Sequence, residues 1–479
     1  MINKLDLDFG SVNEQSNFSV SKDTIIEIIK SANELGLEIP VINPNLAKED
    51  KENLIKIIAE CIKEEGGDVS QKIRIVNLAM IYIHLSQKGK GRFLTILARN
   101  FDVDKNVVDE NIKSYKAAKN KKDLINAELS LSNALIPPRN KLIKQFTTLP
   151  NGFIFLKDMR ADLLPIIKSD LRLKKLSDDI KMYLTNFFYV NILDLKEITW
   201  NSPAILLERL MEYEAVHEIT TWRALKHRLL TDHRVFGFFH NKMPNEPLIF
   251  VEVALVKGMS DNIQKLINIK VKPEDPRNAD TAIFYSISST QKGLEGINLG
   301  NFLLKRVVKK LSAEFPNIKQ FATLSPVPNF RAWLSSYLKN GGNNFFAPGE
   351  KKQISILSQN KNESLGLLNI LNSYKWFKNT EITDVLKKPL LRLCAHYLLN
   401  VKGQNSIYAY DPVANFHLSN GAKIEHIHWL ADLSKRGIMN SAGIMLNYHY
   451  RLDKININHE AYMTNGSIHA SSDALSWLT

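Results

Sequence analysis

Hydrophobic positions change rhythm about two fifths of the way along the chain. Up to about residue 180 they recur at helical spacing. The segment SKDTIIEIIKSANELG opens with cap-forming residues, sets Ile25, Ile28 and Ile29 on one face and stops at Gly36, which predicts a helix with a glycine end. KENLIKIIAECIKEEGG, KIRIVNLAMIYIHL and RADLLPIIKSDLRLKKLSDDIKMYL continue the pattern, with Pro165 marking a break or a fresh helix start. From about residue 190 onward, β-branched and aromatic runs stand between Pro and charged loops. PLIFVEVALV (247–256), TAIFYSISS (281–289) and KQFATLSPVP (319–328) read as strands. Between the last two, NFLLKRVVKKLSAEF reads as an amphipathic helix. Leu303, Val307 and Leu311 form one stripe, Leu304, Val308 and Phe315 lie beside it, Lys305, Arg306, Lys309 and Lys310 face outward, and Pro316 ends the run. Strand, glycine turn, helix and strand make an α/β layer whose site lies at the open end of the sheet.

Length supports this division: 479 residues exceed what one core ordinarily organises. The expectation is a two-domain α+β protein, with a helical bundle over residues 1–185 serving packing or assembly and an α/β domain over 186–479. A net charge of +13 suits an anionic partner, whether nucleic acid, a membrane surface or a polyphosphorylated ligand. The lysines are widely spread, however, and Lys, Asn and Ile usage reads as composition bias, so nucleic acid is not expected. Two cysteines, Cys61 and Cys394, permit neither a disulfide framework nor a zinc spacing, so no metal site is expected and a reducing compartment is. The first residues carry acids and lack an apolar signal core, the last three are not a peroxisomal address, and no run of about 20 apolar residues occurs. A cytoplasmic protein that does not enter a membrane is expected.

The segment EGINLG, Glu295 to Gly300, sits between the strand ending in SISS and the basic helix. Gly296 and Gly300 either permit a tight turn and close helix packing or leave main-chain amides bare for phosphate. The neighbouring lysines and hydroxyls favour phosphate.

This segment resembles the pyrophosphate-binding turn of the GNAT acyltransferases. More specifically, the second half of the chain resembles the malonyl-CoA decarboxylases, through TWNSPAILLERLMEYEAVHEI, EPLIFVEVALVKG, TAIFYSISSTQKGLEGINLGNFLLKRVVKKL, FATLSPVPNFRAWL, PLLRLCAHYLLN, DPVANFHLSNGA and HWLADLSKRGI, in order across roughly 195–455. The resemblance implies a helical domain for oligomerisation, tetrameric in the family, and a GNAT-like α/β acyl-CoA-binding domain. It implies conversion of malonyl-CoA to acetyl-CoA and carbon dioxide with no metal or organic cofactor, coenzyme A being part of the substrate. It places the catalytic serine at Ser325 and the catalytic histidine at His417, with Tyr450 supporting the histidine. Substrate-binding positions fall on Ser286 and on the turn Glu295, Gly296, Ile297, Asn298, Leu299, Gly300 and Asn301. Asn298 stands where the family carries an acid.

The residues fit that chemistry. A malonyl thioester losing carbon dioxide leaves an enolate, so a catalyst must orient the carboxylate, stabilise oxygen charge and return a proton to carbon. The thioester is its own electron sink. Ser325, held extended by Pro326, either grips the carboxylate, relays a proton, or merely caps the helix starting near Asn329. His417 lies in NFHLSNGA, a stretch too turn-rich for an ordinary buried helix, and an imidazole is a sensible acid. His426 and His428 share a strand face without a third ligand and read as structural. No G-x-S-x-G elbow surrounds Ser325, which ranks thioesterase low. A GNAT-type N-acyltransferase and a non-catalytic acyl-CoA-binding regulator are the alternatives.

Overall fold

The structure is a computed structural model that describes residues 20–38, 41–63, 67–187, 193–241, 243–297, 299–342, 345–373 and 375–478. It divides into two compact units: the first runs to Leu193 and takes in Gln291–Ile297, and the second comprises Asp194–Thr290 and Asn298 onward.

The first unit is helical: α1 (Lys22–Glu34), α2 (Asp50–Ile62), α3 (Asp68–His84), α4 (Gln87–Asn100), α5 (Lys105–Ala117), α6 (Lys121–Ala134), α7 (Arg139–Phe146), α8 (Gly152–Leu163) and α9 (Leu171–Phe187). Ser21 caps α1 by accepting from the Thr24 amide, and Gly36 beyond its end has φ +65°, the left-handed stop its sequence predicts. Pro165 breaks the pattern as expected, since α8 ends at Leu163 and a 3₁₀ segment (Leu164–Ser169) precedes α9. The expected boundary at residue 185 falls within α9, which runs to Phe187. In the core, Tyr82 meets Phe93 edge-on at 5.1 Å and its hydroxyl donates to Asp162 at 2.8 Å. Fully buried Arg139 is held by Asp102 and Asp179. The hairpin of α5 and α6 differs: neither helix buries a residue, and Leu129 is 60% exposed.

The second unit is a mixed sheet with helices: β1 (Asp194–Ile198), α10 (Ala204–Tyr213), α11 (Trp222–Arg228), β2 (His233–Phe239), β3 (Ile249–Val256), α12 (Ile263–Leu266), β4 (Thr281–Ser289), α13 (Gly300–Glu314), β5 (Gln320–Thr323), β6 (Ser325–Pro326), α14 (Phe330–Lys339), α15 (Pro348–Ser358), α16 (Glu363–Asn372), α17 (Thr380–Leu399), α18 (Pro412–Leu418), β7 (Lys423–His428), α19 (Lys435–Ser441), β8 (Met445–His449), α20 (Ile455–Asn465) and α21 (Ser472–Ser476). Strand order is β1-β2-β3-β4-β5-β8-β6, with β7 also on β8. Among the described strands, only β4 and β5 pair in parallel, joined through α13 as a βαβ crossover requires. The apolar stripe of α13 is buried as its spacing predicts, and its lysines stay outside.

The site follows from how β4 and β5 part. Their register runs from Thr281 opposite Gln320 to Phe284 opposite Thr323 and stops there. Beyond Leu324 the chain swings into the two-residue β6, paired with Leu446 and Met445 of β8. Pro326 donates no hydrogen bond and sits at the edge of the order, where proline is tolerated. The second half of β4 therefore lacks a parallel neighbour, and a cleft opens between it and β6. No described helix is long and apolar enough to cross a membrane.

Candidate active site

A cavity of about 270 Å³ occupies that cleft. Its walls are chiefly apolar, including Val216, Ile249, Ile287 and Phe416, and none of its lining side chains is a carboxylate, ammonium or guanidinium. Ser325 and His417, 92 residues apart in the chain, both line it.

Ser325 is 7% exposed. Its Oγ lies 2.9 Å from Thr323 Oγ1 and 3.2 Å from His417 Nε2. It does not cap α14, whose N-cap is Asn329 without a side-chain bond. Thr323 is itself fixed, accepting the Tyr448 amide at 3.1 Å.

His417 sits in the last turn of α18, so the turn-rich stretch does contain a buried helix; SNG, the turn part, begins only after Leu418. The helix start is encoded by Asp-Pro: Asp411 accepts from the amides of Val413 and Ala414 at 3.0 and 2.9 Å, and Pro412 takes the first helical position. Tyr397 steadies that carboxylate from the other side at 3.1 Å. The chain then turns sharply at Gly421, φ +79°, where a Cβ would stand 2.1 Å from the Ile455 carbonyl oxygen. The imidazole stacks on Tyr448 at 4.5 Å, and its Nδ1 lies 2.7 Å from the Tyr450 hydroxyl. Burial, with no ionic partner, pushes His417 down to about 3, so the ring is neutral at physiological pH. Both ring nitrogens and both hydroxyls are satisfied when Tyr450 donates to Nδ1, Nε2–H donates to Ser325, and Ser325 donates to Thr323.

Ser286 lines the same cavity, and its hydroxyl is already engaged, 2.8 and 2.7 Å from the two carboxylate oxygens of Glu214. Glu214 also takes the amides of Val216 and His217, both at 2.8 Å, and Ser288 at 3.2 Å. It thereby fixes the loop after α10 onto β4. Nothing in the sequence reading singled out Glu214, although EYEAVHE lies inside a matching stretch; only three-dimensional proximity exposes its role.

The glycine turn has local reasons for its glycines. Gly296 has φ +78°, and a Cβ on Gly300 would stand 2.7 Å from the Phe416 ring. The amides of Glu295 and Ile297 are occupied within the turn by the carbonyls of Lys292 and Leu294, each at 3.0 Å. Leu299, the N-cap of α13, offers no side-chain cap, so the first-turn amides of that helix are left to other acceptors. Asn298 lies outside the described residues, as does the side chain of Asn301. His426 and His428 are tied to Asp473 and Asn447 respectively, and no group of three His, Cys, Asp or Glu among the described residues is placed to hold a metal.

The chain is thus a helical unit followed by an α+β unit, with a buried serine–histidine–tyrosine cluster beside the cleft where its two parallel strands part. Residues 101–188 match the family described as malonyl-CoA decarboxylase N-terminal domain, and residues 191–478 the malonyl-CoA decarboxylase C-terminal domain. The chain is 38% identical over 403 residues to the mitochondrial malonyl-CoA decarboxylase of Mus musculus, covering 81% of each. It is 36% identical over 405 residues to that of Anser anser anser, covering 81% of this chain and 80% of the other. The crystal structure of malonyl-CoA decarboxylase from Rhodopseudomonas palustris superposes with a TM-score of 0.80 at 35% identity, covering 89% of this chain and 99% of that one. That from Agrobacterium vitis gives 0.79 at 31%, covering 89% and 100%. The chain belongs to the malonyl-CoA decarboxylase family and is an enzyme of the carboxy-lyase class.

Proposed function

We propose that the chain converts malonyl-CoA to acetyl-CoA and carbon dioxide in the cleft of Ser325 and His417. The observation that carries this is the uncharged lining of that cleft. A carboxylate seated among apolar walls without a fixed cation loses its hydration and gains no ion pair, whereas neutral carbon dioxide fits the same walls well. Carbon–carbon cleavage moves the charge onto the thioester oxygen, and the thioester acts as the electron sink, so the reading calls for no separate cofactor.

In this reading the Ser325 hydroxyl turns from Thr323 to the carboxylate and aligns its bond with the thioester π system. His417 then gives the Nε2 proton to the enolate carbon, and Tyr450 positions the ring through Nδ1. The remaining parts of the site serve grip. Ser286, presented by Glu214, lines the acyl end, and the first-turn main chain of α13, from Leu299 to Asn301, meets the phosphates of coenzyme A in a GNAT-like manner, while the Glu295 and Ile297 amides, already bonded within the turn, take no part. Asn298, where the resemblance expects an acid, removes a charge from the turn.

Product analysis tests the proposal. Malonyl-CoA should yield acetyl-CoA and carbon dioxide in equal amounts without free coenzyme A. Release of malonate with coenzyme A would instead mean thioester hydrolysis, amine-stimulated release an N-acyltransferase, and unaltered substrate despite binding a regulator.

We also propose that the first unit makes a homo-oligomer, a tetramer as the resemblance implies, through the α5–α6 hairpin. Among the described residues, that hairpin leaves Ile125 and Leu129 46% and 60% exposed. Ile125→Glu with Leu129→Glu should shift the protein to a smaller species in light scattering. An unchanged mass would remove the hairpin from assembly.

A further inference from the structure

We propose that a second cavity, on the far side of the imidazole, lends through Tyr450 the proton that His417 gives to carbon; this rests on the decarboxylase reading above. The cavity measures about 330 Å³ and is bounded by one face of α13, including Leu304, Lys305, Val308 and Ser312, and by Asn420 and Tyr450. It shares no lining residue with the cleft of Ser325 and His417. Tyr450 joins the two: it lines the second cavity, and its hydroxyl lies 2.7 Å from His417 Nδ1, whose opposite nitrogen faces Ser325 at 3.2 Å in the first.

Proton bookkeeping makes the second cavity necessary. Each turnover breaks the bond to the carboxylate carbon, moves that electron pair into the thioester enolate, and forms one new carbon–hydrogen bond. With substrate seated, the apolar cleft excludes water, so the proton comes from the protein. Burial keeps the imidazole neutral, with a single ring proton. Giving that proton from Nε2 without replacement would leave an imidazolate in a low-dielectric site, which is very costly. Replacement at Nδ1 by the Tyr450 phenol removes the cost, provided the phenol takes a proton in turn from water admitted to the second cavity, where Lys305, Ser312 and Asn420 stand in the wall and the Lys305 side chain faces the hydroxide left behind. The ring is then left with its proton on Nδ1. Once acetyl-CoA departs and the cleft is open, water reprotonates Nε2, the Nδ1 proton returns to the phenol, and the second cavity recovers what it lent. One proton is consumed per cycle and every group is restored. Tyr450 is therefore a positioning and relay residue acting through His417, not a contact of the substrate.

The test fills the second cavity from its far wall. Val308→Trp fills the cavity wall beside Tyr450 and so excludes water from it, while Ser325, His417 and Tyr450 are untouched. The expected result is a fall in kcat of about tenfold or more, the scale of a lost acid–base partner, with KM within twofold. The dependence of kcat on the deuterium fraction of the solvent should be curved in the parent enzyme, reporting two protons in flight, and straight in Val308→Trp and in Tyr450→Phe. Ser312→Met fills the same space and gives the same reading should the tryptophan variant not fold; Val308→Ala keeps parental kcat. Parental kcat with a curved dependence in the folded filled variants overturns the inference, as does a straight dependence in the parent enzyme. Absence of any turnover of malonyl-CoA by the parent enzyme overturns the decarboxylase reading itself.

Discussion

Replacing His417 with alanine is expected to lower kcat by about 10² to 10⁴-fold while KM changes little, the range for loss of a positioned acid. The split follows from where the ring sits. It meets Ser325, Tyr448 and Tyr450 in the wall of the cleft, whereas the grip on coenzyme A is proposed at the start of α13. The same geometry fixes the pH behaviour. Because burial holds His417 near 3, the ring stays neutral from about pH 5 to 8 and contributes no limb to the kcat profile there. Below that range the ring gains a proton that occupies Nδ1 and breaks the bond from Tyr450, so activity falls on the acid side alone. Stability moves in the same direction. An unfolded histidine binds its proton near 6.5 and the folded one near 3, so between these values the unfolded chain holds more protons and stability drops as pH falls. His417→Ala with parental kcat, or a kcat limb near pH 6.5 that disappears in His417→Ala, would remove the neutral imidazole from the chemistry.

The parts of this site differ in how far the sequence discloses them. Strand β4 was legible to the residue, because TAIFYSISS is a continuous buried run bounded by Asp280 and a polar loop. The stripe of α13 was equally legible, since one helix face against a sheet leaves a 3.6-residue signature. By contrast, KQFATLSPVP gave one strand where the chain forms two, β5 and β6. The break at Leu324 is made by β8 accepting both pieces in different places, a tertiary choice with no local signal. His417 could be named as a chemical candidate but not as buried and neutral, since its environment comes from Tyr448, Tyr450 and Ser325, none of them adjacent in sequence. Asp-Pro at 411 and 412 carries the helix start, a local capping signal that lies just upstream of the turn-forming SNG. Glu214 was illegible because an acid in EYEAVHE looks solvated until β4 places Ser286 and Ser288 against it.

The largest expected stability effect lies just beneath the cleft. Glu252 interrupts the apolar run of β3, is fully buried, and stands opposite Ser286 where the register of β3 on β4 shifts. Bulges of this kind re-aim side chains beside functional sites. Here the re-aimed carboxylate meets Arg228 at the end of α11, 3% exposed, whose other nitrogen donates to the His217 carbonyl at 2.9 Å. Arg228 thus ties the loop that carries Glu214 to the strand floor. Glu252→Leu would leave a buried guanidinium without its main counter-charge, a change that costs about 3–5 kcal/mol. The lower end is expected, because the nearby Glu214 carboxylate still stabilises the cation. Arg228→Met combined with Glu252→Leu should recover most of that loss, since a buried ion pair and an apolar pair of similar volume differ little. Urea unfolding of the three proteins measures both steps. A single substitution costing less than about 1 kcal/mol, within the range of exposed pairs, would show that the pair does not organise the floor. The double variant separates stability from function: if the loop position matters for grip, stability returns while KM for malonyl-CoA stays raised, because neither methionine nor leucine can hold the His217 carbonyl.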